Sequence, residues 1–141
     1  MVKSEMVYKT EGEIKILNNN KYRGIKYWVV SYGTHPCCYI EIPKSSVLYY
    51  EIKELNSDEI NINCHGGVTY LKDKLFDIDV RGVIIGWDYA HVGDFIGYDL
   101  NLPDYLKRND KIWSTDELIE ECKQVIDSIY KFGVDKIVSN K

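Results

Sequence analysis

The sequence predicts an α+β domain: a mainly antiparallel, twisted sheet of about five strands with one C-terminal helix packed on one face. Short runs rich in aromatic and β-branched residues recur between residues 13 and 87, joined by connections too short for repeated βαβ crossovers. A single strongly periodic apolar run, Leu118 to Tyr130, comes last. With 141 residues, 45% hydrophobic and 28% charged, the chain suits one core, so 1–141 is read as a single domain.

Glu13 to Leu17 and Ile25 to Ser31 form the predicted arms of a hairpin, and Asn18-Asn19-Asn20 with Lys21 and Gly24 its turn. The turn Gly33 to Pro36 ends the second arm. Tyr39 to Ile42 makes a short third strand, closed by Pro43, which has no N–H for a ladder. Ser45 to Leu55 fits neither period and stays open between a short helix and a loop. Ile60, Ile62 and Cys64 alternate with Asn61 and Asn63, the pattern of a half-buried strand, and lead into His65-Gly66-Gly67. A polar segment, Lys72 to Asp79, precedes the fifth strand, Val83 to Trp87, which runs into Asp88-Tyr89-Ala90-His91-Val92-Gly93-Asp94. Ser114 and Glu117 form a capping box ahead of the helix, whose apolar stripe is Leu118, Ile119, Cys122, Val125, Ile126, Ile129 and Tyr130. Asp116, Glu117, Glu120 and Glu121 load the positive end of its dipole, and Gly133 offers a stop.

Composition narrows the function classes. The 18 basic and 22 acidic side chains, net −4, argue against a protein that grips long nucleic acid, which needs clustered Lys and Arg. A small ligand or a protein partner is expected instead. The longest uncharged stretch, Tyr27 to Ile40, is interrupted by Gly33, His35 and Pro36 and is too short for a membrane span. The N-terminus carries no secretory pattern, so the expected location is the cytoplasm, with Cys37, Cys38, Cys64 and Cys122 as reduced thiols. No Cys-x-x-Cys spacing calls for structural zinc.

Two strand exits concentrate the chemistry. Gly66 and Gly67 let backbone N–H groups converge into an anion cradle, to which Thr69 adds a hydroxyl; the alternative is a plain turn. Asp88, His91 and Asp94 recur at three-residue intervals and with His65 supply two carboxylates and two imidazoles. Such a set holds a divalent metal or works as general acid and base. Equally, Asp88 and Asp94 cap backbone N–H groups while His91 packs. Trp28, Tyr32, Tyr39, Tyr70, Trp87 and Tyr89 lie near these segments, either as pocket walls that stack on a flat ring or as half-buried sheet residues. His35 is a third imidazole at that end of the sheet or a solvated turn residue. Trp113, beside the helix cap, is expected to pack.

The stretches Gly24 to Val30, Gly33 to Lys44, Cys64 to Tyr70, Gly86 to Asp94 and Trp113 to Asp116, with Glu120-Glu121-Cys122, together resemble a group of small uncharacterised proteins of phages and prophages of Gram-positive bacteria. His65-Gly66-Gly67-Val68-Thr69 and Asp88-Tyr89-Ala90-His91-Val92-Gly93-Asp94 carry most of that resemblance, which covers most of the chain. Trp87 stands where relatives carry Phe, and Lys44-Ser45-Ser46 replaces a Lys-Gly-His stretch. The resemblance implies a phage protein acting in the cytoplasm of a bacterial host.

Taken with the pocket chemistry, the expected function is counter-defence: binding and sequestering a nucleotide-like signal such as a cyclic nucleotide or an ADP-ribose derivative. Gly66, Gly67 and Thr69 would hold phosphate, Trp87 or Tyr89 would stack on a base, and His35, His65, Asp88, His91 and Asp94 would complete the pocket. One alternative is a metal-dependent phosphodiesterase using His65, Asp88, His91 and Asp94. Another is an interaction module that inhibits a host factor. No cofactor is required by the first reading, and exposed aromatic strands leave a homodimer open.

Overall fold

The computed structural model describes residues 7–9, 13–33, 35–90 and 113–132. Among the described residues six strands form one antiparallel sheet: β1 (Val7–Lys9), β2 (Glu13–Tyr22), β3 (Ile25–Ser31), β4 (Pro36–Pro43), β5 (Tyr70–Lys72) and β6 (Gly82–Asp88), in the order β1-β2-β3-β4-β6-β5. A short helix, α1 (Val47–Ile52), follows β4, and the C-terminal helix, α2 (Thr115–Phe132), crosses β2, β3 and β4. The expected α+β architecture is therefore present, with one strand more than expected. No helix among the described residues is long and apolar enough to cross a membrane.

The first hairpin corrects the sequence reading. Asn18, Asn19 and Asn20 belong to β2, opposite Val29, Trp28 and Tyr27, and the turn is Arg23-Gly24. Arg23 at φ 52° and Gly24 at φ 84° give the two left-handed positions a two-residue type I′ turn needs, whose twist matches the strands it joins. A register shift between Ile16 and Asn18 leaves Leu17 as a bulge. Ile14 and Ile16 thus meet Trp28 and Val30 on one face, while Leu17 packs on the other.

Central strand β4 is buried from Pro36 to Ile42, even at Glu41, whose carboxylate accepts the Arg81 backbone N–H. Between neighbours β3 and β6, both of its faces are covered. Its counterpart β6 alternates: Val83, Ile85 and Trp87 face the helix side, and Ile84 faces the opposite side. Gly86 is required by packing, since a Cβ there would lie 2.5 Å from the Tyr39 ring.

The segment expected to be a strand at Ile60 to Cys64 is not one. Residues 61–64 pair with no strand, and a single 3-10 turn, Ser57–Glu59, precedes them. Ile60 and Ile62 are nevertheless buried in the helix-side core. The alternation reports an extended, half-buried chain in which Ile60 forms a single β-bridge and Ile62 is buried without one. The strand in this region is β5, beyond the glycine turn. Ser45 to Leu55, open in the sequence, holds α1, capped by the Ser46 hydroxyl accepting from the Leu48 N–H.

Helix α2 begins as expected. The Ser114 N–H donates to Glu117 at 2.9 Å, and the Glu117 N–H returns to the Ser114 hydroxyl at 3.2 Å. Leu118, Cys122, Val125, Ile126 and Ile129 enter the core, whereas Tyr130 is exposed and donates its hydroxyl to the Arg23 carbonyl. Gly133 lies outside the described residues.

Candidate functional site

The His65-Gly66-Gly67 turn is built on glycine conformations. Gly66 at φ 72° lets the Gly67 N–H close back on the Cys64 carbonyl at 3.0 Å, the geometry of a type II turn, and Gly67 continues at φ 83°. Two of the turn's N–H groups, those of His65 and Gly67, have acceptors within the protein. The His65 N–H donates to Glu121 Oε2 at 2.7 Å. An anion therefore does sit at this turn, and it is a side chain of α2.

Glu121 links the turn to the core. Its other oxygen, Oε1, accepts the Tyr89 hydroxyl, which in turn accepts Trp87 Nε1–H at 3.1 Å. Tyr89 stacks on His65 with centroids 4.6 Å apart and 7° between planes, and Trp113 closes on both rings at 5.1 and 5.0 Å. Burial and the nearby Glu121 carboxylate hold the Tyr89 phenol far above its usual pKa. Burial, reinforced by Glu121, pushes the Cys64 thiol up to about 12. Both stay protonated at neutral pH. Outside this cluster lies a cavity of about 510 Å³ bounded by His65, Trp113, Glu117, Glu120 and Glu121. Three carboxylates on one wall oppose an approaching phosphate.

These placements bear on three of the expectations. Tyr89, 0% exposed, is covered by His65 and Trp113, and Trp87, 1% exposed, packs in the helix-side core, so neither ring stands open to a base at the glycine turn. Thr69 donates its hydroxyl to Asp88 Oδ2 at 3.2 Å rather than toward the glycine turn. Asp88 Oδ1 accepts the Ala90 N–H at 3.2 Å, the turn-capping role that stood beside the chemical one.

Asp88 and His65 also lie on different faces. Trp87 points to the helix side, so its neighbour Asp88 points away, where it lines a second cavity of about 340 Å³ with His35, Tyr32, Tyr70 and Thr69. His65 is absent from that lining. Four of the expected site residues thus divide into His65 on one face and His35, Thr69 and Asp88 on the other. His91 and Asp94 lie outside the described residues. Among the described residues no three His, Cys, Asp or Glu side chains gather as a metal site.

The second cavity has aromatic walls. Tyr32 stacks on His35 at 5.6 Å and 20°, its hydroxyl shares a 2.5 Å hydrogen bond with that of Tyr39, and Tyr39 meets Tyr70 edge to face at 5.3 Å. The cross-strand pairing of Tyr39 and Tyr70 with Gly86 leaves room for both rings. Burial raises the Tyr32 phenol to about 12 and the Cys37 thiol to about 12, with Asp88 adding to the latter. The cavity therefore presents neutral hydroxyls and one carboxylate to a ligand. Tyr39 stood among the aromatics read as pocket walls or sheet residues, whereas Cys37 was not expected at a site. The only sequence signal for Cys37 would be the alternation of β4, which a strand buried on both faces does not display.

Glu121 is the other residue the sequence reading placed differently, as one more acid at the helix start. Its spacing from His65, 56 positions away, is a tertiary fact. The four cysteines are free thiols, three of them buried. No protein-family model matches the chain, and no curated protein or solved structure matches it either.

Proposed function

We propose that the protein binds a small, ring-bearing molecule of the nucleobase or nucleotide class at the His35, Tyr32, Tyr70, Asp88 cavity and sequesters it unchanged. The observation that carries this reading is the wall of stacked and edge-on aromatic rings around a single carboxylate acceptor. A flat ring gains about 1–3 kcal/mol per aromatic contact. Asp88 accepts hydrogen bonds from ring N–H or exocyclic amine groups, and its charge directs phosphates outward to solvent. Concave, largely apolar sites with a few convergent polar groups are the usual form of a small-molecule site.

This reading puts the ligand away from the glycine turn, where the His65 N–H donates to Glu121 and the Gly67 N–H to the Cys64 carbonyl. It keeps the sequestering role expected from the phage context together with the pocket chemistry, and gives counter-defence a chemical basis. Hydrolysis by His65 and Asp88 acting together is disfavoured by their position on opposite faces of the sheet.

The test is mass spectrometry of a mixture of cyclic dinucleotides, nucleotides and ADP-ribose derivatives incubated with the protein. Depletion of one compound, restored intact by heat, is the expected result, and His35→Ala or Tyr70→Ala reduces it. A new product that a chelator prevents would replace sequestration with hydrolysis. No depletion of any compound would overturn both.

A further inference from the structure

At the opposite end of the same sheet face, the β2–β3 hairpin carries a feature that the reading above does not use. Lys21 and Lys26 are directly opposed cross-strand partners, so two like charges face each other on neighbouring strands. Such a pair opposes folding unless an anion lies between the two. Among the described residues neither ammonium takes part in an ion pair. Both line a cavity of about 550 Å³, together with Asn19, Ile16, Trp28 and Ile78. Asn19 opposes Trp28 in register, so an amide donor lies across from the indole. Asp79, the one carboxylate on the rim, pairs with Arg81 at 3.2 Å.

We propose that this cavity is a second ligand site, for a small molecule bearing a phosphate dianion on a flat apolar group. Two ammonium groups match a dianion in charge, and Asn19 adds a neutral donor. Ile16, Trp28 and Ile78 supply the apolar wall for the attached group. The site is separate from the Tyr32 cavity: Lys26 and Tyr32 are six residues apart on an extended strand, about 20 Å, farther than one mononucleotide reaches. Acidity of the whole chain does not oppose it, because the local field is set by the nearest charges and the pair is the nearest.

The experiment uses the full chain with phenyl phosphate, phenol and inorganic phosphate as probes, followed by backbone amide and indole N–H shifts. Phenyl phosphate is expected to shift Asn19, Lys21, Lys26 and the Trp28 indole saturably, phenol to leave them in place, and inorganic phosphate to bind more weakly. The Lys21→Gln, Lys26→Gln double variant loses about tenfold or more in affinity. Its melting temperature in low-salt, phosphate-free buffer stays equal or rises, because the opposed charges are gone. An equal response to phenol, or an undiminished response in the double variant, overturns the site. Equal affinity for inorganic phosphate overturns the claim to a ring-bearing ligand.

Discussion

On the helix-covered face of the sheet, Leu118, Cys122, Val125 and Ile126 close over Val29, Ile40 and Ile85, each at most 1% exposed. On the opposite face Trp28, Cys37 and Tyr39 are 4–6% exposed and meet the short segment from Leu75 to Val80 instead of a helix. The first face is continuous packing, locked by Glu121. The second is roofed only in its middle, which leaves a cavity at each end. On the proposed reading, one sheet keeps its closest packing on one side and its ligand cavities on the other.

The comparison is broken or kept most directly by truncation. Ile126→Ala removes a fully buried side chain between a rigid helix and the central strands, and should cost about 4 kcal/mol. Leu75→Ala, equally buried but held by a short loop, should cost about 2 kcal/mol because the loop can settle into the space. Equilibrium urea unfolding of the two variants measures both. Equal costs would mean that the two faces are equally rigid and that the division above is wrong.

Gly86 lies where the second face meets its cavity. Gly86→Ala drives a Cβ into the Tyr39 ring, and the expected cost is about 1–3 kcal/mol of overpacking. Tyr39 also holds Tyr32 and meets Tyr70, so ligand depletion by this variant should fall along with its stability. Full depletion by a destabilised Gly86→Ala would move the ligand elsewhere.

That glycine shows where the sequence was legible. The start of helix α2 and most of its apolar stripe could be read because cap and stripe are local, within four residues of each other; Tyr130, read as part of the stripe, is exposed. β3 and β6 were legible as apolar runs. The hairpin turn was misplaced because a run of asparagines suggests a turn more loudly than Arg23-Gly24 does, although only the latter takes two left-handed positions. The glycine motif and the aspartate motif both read as parts of one site, since each follows an extended segment. Their separation depends on the parity of β6: one residue, Trp87 to Asp88, carries the chain from the helix side to the other. The partners that decide each role, Glu121 for His65 and Thr69 for Asp88, lie 56 and 19 positions away. No local pattern encodes those distances.

Thiol protection by ligand distinguishes the faces without mutation. Cys64 on the helix side and Cys37 and Tyr32 on the cavity side all have pKa values raised to about 12 by burial. Because the folded values exceed the unfolded ones, this contribution to stability is complete below about pH 8.5 and is lost progressively as pH rises toward 12. Urea midpoints measured at pH 8, 10 and 11 should therefore fall. Iodoacetamide labelling at pH 8 should be slow at both cysteines. Saturating ring ligand should slow Cys37 further and leave Cys64 unchanged, whereas equal protection of both would place the ligand at the glycine turn.

The smallest effect is expected where the hairpin meets the helix. Arg23 occupies a left-handed position that favours Asn or Gly, yet its guanidinium pairs with Asp127 at 2.9 Å and lies 4.4 Å from the Tyr130 ring centre. Both ionic groups are about half exposed, so the pair contributes roughly 0–1 kcal/mol in water and less in salt. Arg23→Asn exchanges that pair for a turn residue suited to φ 52°, and the two changes should cancel to within about 0.5 kcal/mol. Asp127→Ala removes the pair without the compensation, so it should be the more destabilising of the two, by a margin that shrinks in 1 M salt. If Arg23→Asn instead costs more than 127 does, the cation over Tyr130 is holding the hairpin to the helix, and the lysine cavity beside that hairpin then depends on the helix-covered face for its shape.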